Sequence, residues 1–130
     1  MPEASSPLRS LREALASGEV TPRAAAEQAL ACANRNAGKN VYIALNREGV
    51  LRDAEELPER FRNGAKPPLY GVPVSLKDCF DLAGFVTTCG SRFYATRNAA
   101  ARDDSAVAAS LWASFLVSPC GTTSWEHGAR

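Results

Sequence analysis

Gly71-Val72-Pro73-Val74-Ser75-Leu76-Lys77-Asp78 is the stretch on which the reading of this sequence turns. Val72, Val74 and Leu76 alternate with Pro73, Ser75 and Lys77, which is the two-residue period of a β-strand. The first set is expected to face a core and the second to lie on the opposite face. Lys77 then stands at the end of a buried strand. On the residues alone, a lysine so placed reaches solvent or pairs with a neighbouring acid such as Asp78 or Asp81.

Upstream of this strand the sequence reads as helical from residue 6 to residue 62. Ser6-Pro7 and Thr21-Pro22 are two helix starts with proline at the first helical position. Leu8, Leu11 and Leu15 recur on one face of the first helix, and Gly18 stops it. The second helix carries a stripe of Ala25, Ala26, Ala29, Leu30 and Ala33, small side chains that suit close packing. Val41, Ile43 and Leu45 alternate with Tyr42 and Ala44 and predict a short strand or extended segment. A third helix from about Glu48 presents Val50, Leu51, Ala54 and Leu57. Pro58 is expected to bend or end it before Phe61, with Asn63 and Gly64 closing the element. A strand and loop block occupies 68–95. A last helix and a C-terminal segment fill 103–130, with Asp103 and Asp104 expected to cap the helix rather than to hold a metal.

Composition restricts the function classes. Of 130 residues, 23 are Ala, and Leu, Ile, Val and Phe together number 26, so the large side chains that build a core are few. With 15 Lys and Arg against 14 Asp and Glu, the net charge of +1 supplies no field to draw nucleic acid or an anionic membrane. Neither is an expected partner. Met1 to Ser6 lacks the basic and apolar regions of a signal peptide, and no apolar run is long enough to span a bilayer, so a cytoplasmic location is expected. Cys32, Cys79, Cys89 and Cys120 form no CxxC pair and His127 is the only histidine, so zinc spacing is missing and reduced, mostly structural thiols are expected. No phosphate-binding loop, GxGxxG or GxSxG occurs, and Cys79 lacks a nearby histidine to make it a nucleophile.

The run Pro68-Leu69-Tyr70-Gly71-Val72-Pro73-Val74-Ser75-Leu76-Lys77-Asp78, then Asp81-Leu82-Ala83-Gly84 and Thr87-Thr88-Cys89-Gly90-Ser91, resembles the early block of the amidase signature family. In that family a GPLxGIPxxxKD-like strand precedes a D-x-x-G turn and a T-T-x-G-S loop. The resemblance continues upstream through Ser17 to Pro22, at the turn between the family's first two helices, and downstream through Asp104 to Leu111. It implies an α/β fold, with N-terminal helices followed by the first strands of a mixed sheet, incomplete at Arg130. The exposed strand edges of such a piece invite self-association.

The resemblance also implies a chemistry: hydrolysis of carbon–nitrogen bonds in linear amides by a Ser-cisSer-Lys triad, with no cofactor and no metal. Lys77 matches the catalytic lysine, which must be neutral to accept a proton, as a desolvated pocket favours. It works through a bridging serine on the nucleophilic serine, while backbone amides of a glycine- and serine-rich loop hold the oxyanion. Both serines and that loop lie beyond Arg130 in the family. Thr87, Thr88 and Ser91 could line a substrate cavity or satisfy their own backbone. The small-molecule amide is the expected partner of a longer product. A non-catalytic remnant or interaction fragment, or a truncated amidotransferase A-subunit, is the alternative.

From Leu111 to Gly128 the sequence aligns with the family without a gap yet departs at many positions. Trp112 replaces a basic residue, Phe115 a turn glycine, Cys120-Gly121 a Gly-Lys pair and His127 an aromatic residue. Phe115 is expected to strain a turn that needs positive φ, and Pro119 to remove a donor from an inner strand. The expectation is a C-terminal segment relaxed from the family's constraints.

Overall fold

The computed structural model describes residues 6–112 and 115–120. Helices α1 (Pro7–Ser17), α2 (Pro22–Arg35) and α3 (Arg47–Arg60) precede strand β1 (Val72–Lys77), and α4 (Arg92–Arg97) and α5 (Ala106–Trp112) connect it to β2 (Phe115–Cys120). Both helix starts read from the sequence are present, with Pro7 and Pro22 in the first turns. The Thr21 side chain accepts from Ala24 N–H at 3.1 Å, satisfying a donor that a helix start leaves free. Gly18 ends α1 at φ 83°, the left-handed conformation that glycine adopts without penalty. Asn46 caps α3 by accepting from Gly49 N–H, and the helix runs two residues past Pro58 before ending at Arg60.

The helices bury small side chains against one another. Ala26, Leu30, Val50 and Ala54 form one buried cluster between α2 and α3, where alanine lets the backbones approach closely. Leu15, Ala25, Leu57, Tyr70, Val72, Leu76, Leu82 and Ala108 form the second, which seats α1, α2, α3 and α5 on β1. Leu15 and Leu57 are the largest side chains that are fully enclosed, in keeping with the short supply of large apolar residues. Leu8, at 49% exposed, stands outside the stripe expected on α1. Arg23 pairs with Glu27 and with Glu55 on α3. All three side chains are about half exposed, so the pairs add little stability.

β1 and β2 pair in parallel, with Val72 opposite Phe115 and Lys77 opposite Cys120. The connection through α5 makes a β-α-β unit, so the fold is α/β as the sequence indicated. The inward alternation of β1 holds at its ends: Val72 and Leu76 are buried, while Ser75 and Lys77 are exposed. Two expectations are corrected. Of the two readings of 41–45, a short strand or an extended segment, the strand does not form: Val41 and Ile43 stay more than a third exposed, and the Tyr42 hydroxyl turns toward Ser75. Phe115 does not sit in a turn but opens β2, in extended backbone that a Cβ does not disfavour. Pro119 is accommodated in β2 opposite Leu76, on a strand with no second neighbour among the described residues. Residues 1–5 and 121–130, with His127 and the second half of the Cys120-Gly121 pair, lie outside the described residues.

The packing around β1 makes the cost of a side chain at two glycines predictable. At Gly71, φ is 70°, and an added Cβ would lie 3.1 Å from Leu15 Cδ2 and from Pro22 Cγ. At Gly84, φ is 84° but nothing stands within 4 Å. Both alanine variants take on backbone strain of about 1 kcal/mol or more. Gly71→Ala adds overpacking of about 1–3 kcal/mol, so it loses clearly more stability than Gly84→Ala in urea denaturation. Equal losses would mean that the α1–α2 corner yields freely.

Tyr70 is buried edge-on against Phe61, with ring centroids 5.8 Å apart, and burial raises its hydroxyl above the ordinary 10.0. The folded state thus favours the neutral phenol. The associated stability is fully present below about pH 10 and is lost as pH rises through the raised value. Tyr70→Phe removes this contribution, so the stability difference between wild type and variant falls with pH above about 10. A difference that stays flat through that range contradicts the assignment.

Candidate active-site segment

β1 ends in a tight turn. The Lys77 carbonyl accepts from Cys79 N–H at 2.8 Å and from Phe80 N–H at 3.2 Å, which reverses the chain directly after the lysine. Asp78, only 9% exposed, then folds residues 88–90 onto the end of the strand. Its Oδ1 accepts from Thr88 N–H at 2.9 Å, and its Oδ2 accepts from Gly90 N–H at 3.1 Å and from the Thr88 hydroxyl. Its main-chain carbonyl accepts from Cys89 N–H at 2.8 Å. Wrapping three successive N–H groups around one aspartate requires left-handed backbone at Cys89 (φ 50°) and Gly90 (φ 68°). A buried carboxylate with several donors is the arrangement in which such a charge is tolerated away from water.

The rest of the connection is tied to itself. Asp81 accepts from the Thr87 hydroxyl at 2.5 Å, and its carbonyl accepts from Ser105 N–H at 2.9 Å. Asp104 accepts from Ala83 N–H at 2.7 Å, and Asn98 donates to the Thr87 carbonyl at 2.9 Å. The cap of α5 is therefore Ser105, whose hydroxyl accepts from Ala108 N–H, and not Asp103 or Asp104. Thr87 donates its hydroxyl to Asp81 and Thr88 donates its own to Asp78, while the Thr88 hydroxyl oxygen also accepts from the Gly90 N–H at 3.2 Å, a bond within its own loop backbone.

Lys77 is exposed, and among the described residues its ammonium has neither a hydrogen-bond nor an ion-pair partner. Asp78 and Asp81 are engaged elsewhere, so the pairing expected for an isolated lysine does not occur. The walls of a desolvating pocket are likewise not supplied by the described residues. Ser75, on the same face of β1, shares a 3.0 Å hydrogen bond with the Tyr42 hydroxyl. Two clefts lie near the helices. One of about 540 Å³ runs between α1 and the 66–70 segment, past Arg12, Lys66 and Tyr70. A smaller one of about 130 Å³ is lined by Leu30, Tyr42, Leu45, Val74 and Ser75. Lys77 lines neither. Among the described residues, no group of three or more His, Cys, Asp or Glu side chains is placed so that it could hold a metal ion.

Asp78 was legible in the sequence only as a neighbour of Lys77. Its role as a clamp depends on residues ten to twelve positions away, and no local pattern encodes that meeting. Cys32, Cys79 and Cys89 are exposed free thiols, contrary to the structural role expected of them, because each lies on a helix surface or a turn rather than in either buried cluster.

Asp78→Ala leaves the Thr88 amide without its acceptor and the Gly90 amide with only the Thr88 hydroxyl, 3.2 Å away. Hydrogen bonds to a charged group contribute about 1.5–3 kcal/mol, so the variant loses stability on that scale. Amide exchange accelerates at Thr88 and Gly90, more than at Cys89, whose acceptor is a main-chain carbonyl. Uniform acceleration across the chain would show that the carboxylate does not act locally.

Comparison with known proteins agrees with this geometry. Over 86 residues the chain is 41% identical to the A-subunit of glutamyl-tRNA(Gln) amidotransferase of Deinococcus deserti, covering 66% of this chain and 18% of that protein. Over 87 residues it is 38% identical to the corresponding mitochondrial A-subunit of Homo sapiens, covering 64% of this chain and 16% of that protein. Among solved structures it superposes, with a TM-score of 0.78 and 29% identity, on a chain from a vestigial protein complex that reveals the evolutionary origins of an s-triazine catabolic enzyme. That match covers 88% of this chain and 25% of the solved one. The chain thus spans a quarter or less of the length of each of these proteins. The sequence profile of the Amidase family matches residues 24–127, most of the chain. With β1, its terminal lysine and the clamped loop all inside the matched region, the chain belongs to the Amidase family.

Proposed function

We propose that Lys77 is the proton acceptor of an amide-hydrolysing Ser-cisSer-Lys site whose serines and oxyanion loop come from outside these 130 residues. The observation that carries this reading is the position of Lys77: at the last residue of β1, with an ammonium not engaged by either neighbouring aspartate, beside a loop that Asp78 holds in place. A base must be placed before its proton affinity matters, and the turn at Cys79 and Phe80 together with the Asp78 clamp fixes the backbone on which Lys77 stands. In this reading the remaining portion packs over the exposed face of β1, excludes water from Lys77 and brings the bridging serine to its amine. The substrate is a linear amide. A piece of an amidotransferase A-subunit, working beside other subunits in the cytoplasm, is the second form of the same reading, favoured by the likeness to two such proteins.

By itself the chain lacks the parts that make amide hydrolysis feasible. Ser75 is the nearest hydroxyl along the strand, but it is bonded to Tyr42, and no glycine- and serine-rich loop is present to hold an oxyanion. Residues 1–130 are expected to release no ammonia from small aliphatic and aromatic amides above a protein-free blank. Release that disappears in Lys77→Ala would overturn this. In a product that includes the two serines, Lys77→Ala abolishes turnover while leaving folding nearly intact, since the side chain is exposed. Lys77→Arg fails as well, because arginine stays protonated. Turnover retained by the arginine variant refutes the assignment. A Gly-Gly-Ser-Ser-Gly-like stretch encoded beyond codon 130 supports the longer enzyme; unrelated sequence there favours a non-catalytic remnant.

A further inference from the structure

Two cysteines stand on the two turns that Asp78 joins. Cys79 follows Asp78 directly, and Cys89 donates its N–H to the Asp78 carbonyl at 2.8 Å. Adding the peptide unit on one side of that bond and the N–Cα bond on the other, the two Cα atoms lie at most about 7 Å apart. Disulfides span Cα separations of about 4.4–6.8 Å. Both thiols are exposed and free. The contact is enforced from several directions, since Thr88 and Gly90 on either side of Cys89 are bonded to the Asp78 carboxylate. The chain leaves Asp78 through one turn and comes back to it through the other. Cys32, in contrast, sits on α2, where the Asn36 side chain lies 3.7 Å from its sulfur.

We propose that Cys79 and Cys89 form a dithiol site that reacts with a small aliphatic disulfide and closes to an intramolecular disulfide. One cysteine thiolate attacks a sulfur of the aliphatic disulfide, forming a mixed disulfide and expelling one small thiol. The second thiolate attacks the protein sulfur of that mixed disulfide and expels the other small thiol. Two cysteines are oxidised, the aliphatic disulfide is reduced to two thiols, and the two protein protons pass to the departing thiolates. Closure adds a covalent tie where hydrogen bonds already hold the loop, close to Lys77. Reducing thiols reverse it. The proposal concerns the two turns alone and stands independently of the role given to Lys77.

Trypsin places both cysteines in one peptide, Asp78 to Arg92, which contains no internal Lys or Arg. The whole chain is equilibrated with mixtures of reduced and oxidised glutathione, alkylated at the free thiols and digested without reduction. The expected result is an Asp78–Arg92 peptide lighter by two hydrogens, free of alkyl groups and of glutathione. Half-closure is expected at a glutathione mixture about tenfold more reducing than for the same chain in concentrated urea, because the fold raises the effective concentration of one thiol at the other. Persistent glutathione adducts, bridges to Cys32 or Cys120, or the same midpoint in urea would each overturn the proposal.

Discussion

A single buried carboxylate organises the end of β1 and the loop that returns to it. Asp78 receives the Thr88 and Gly90 amides and the Thr88 hydroxyl on its side chain, and the Cys89 amide on its carbonyl. Without it, the 78–91 region is a loop anchored to the core only by Leu82 and, in part, Phe85 among the described residues, and loops of that length have many conformations of similar energy. With it, the chain returns to the end of β1 in one arrangement. The position of Lys77 follows from this, because the turn that leaves the strand is pinned from the far side.

The packing beneath is economical in large side chains. Alanines at 25, 26, 54 and 108 fill the layers between helices and strand, and Leu15 and Leu57 supply the bulk. Close helix approach through alanine gives dispersion contacts without much apolar area. That explains why Gly71 is crowded by Leu15 and Pro22: the α1–α2 corner presses directly on the backbone that enters β1. It also explains why the face of β1 carrying Ser75 and Lys77 stays open, since the buried clusters gather on the side of Val72 and Leu76.

That open face is where the amide-hydrolysing reading and the observed geometry meet. The chain matches a quarter or less of the length of the relatives it resembles, while the matched portion contains β1, the clamp and the β-α-β crossover intact. Family membership thus rests on a match that spans this local unit, and in the proposed reading activity depends on groups that would cover Lys77 and exclude water.

Local chemistry was sufficient to read several elements from sequence. Thr21-Pro22 and Gly18 mark helix limits through donors and backbone angles that belong to those residues alone, and the alternation of Val72, Val74 and Leu76 with Pro73, Ser75 and Lys77 marks β1. The lysine at its end was legible for the same reason, and the resemblance attached a role to it. Where an outcome depended on a distant partner, the sequence was silent or misleading. Val41, Ile43 and Leu45 alternate as a strand does, but a strand exists only beside a partner, and among the described residues this stretch is assigned no strand. Asp103 and Asp104 had the composition of a helix cap, yet Ser105 holds that position and Asp104 is drawn away to Ala83. Phe115 stood where a turn glycine was expected, and the register of β2 against β1 made it the first residue of a strand. Above all, the sequence by itself placed an acid after Lys77. Only the tertiary structure decided that this acid would face Thr88 and Gly90 rather than the lysine, because a carboxylate out of water goes where the most N–H and O–H donors converge.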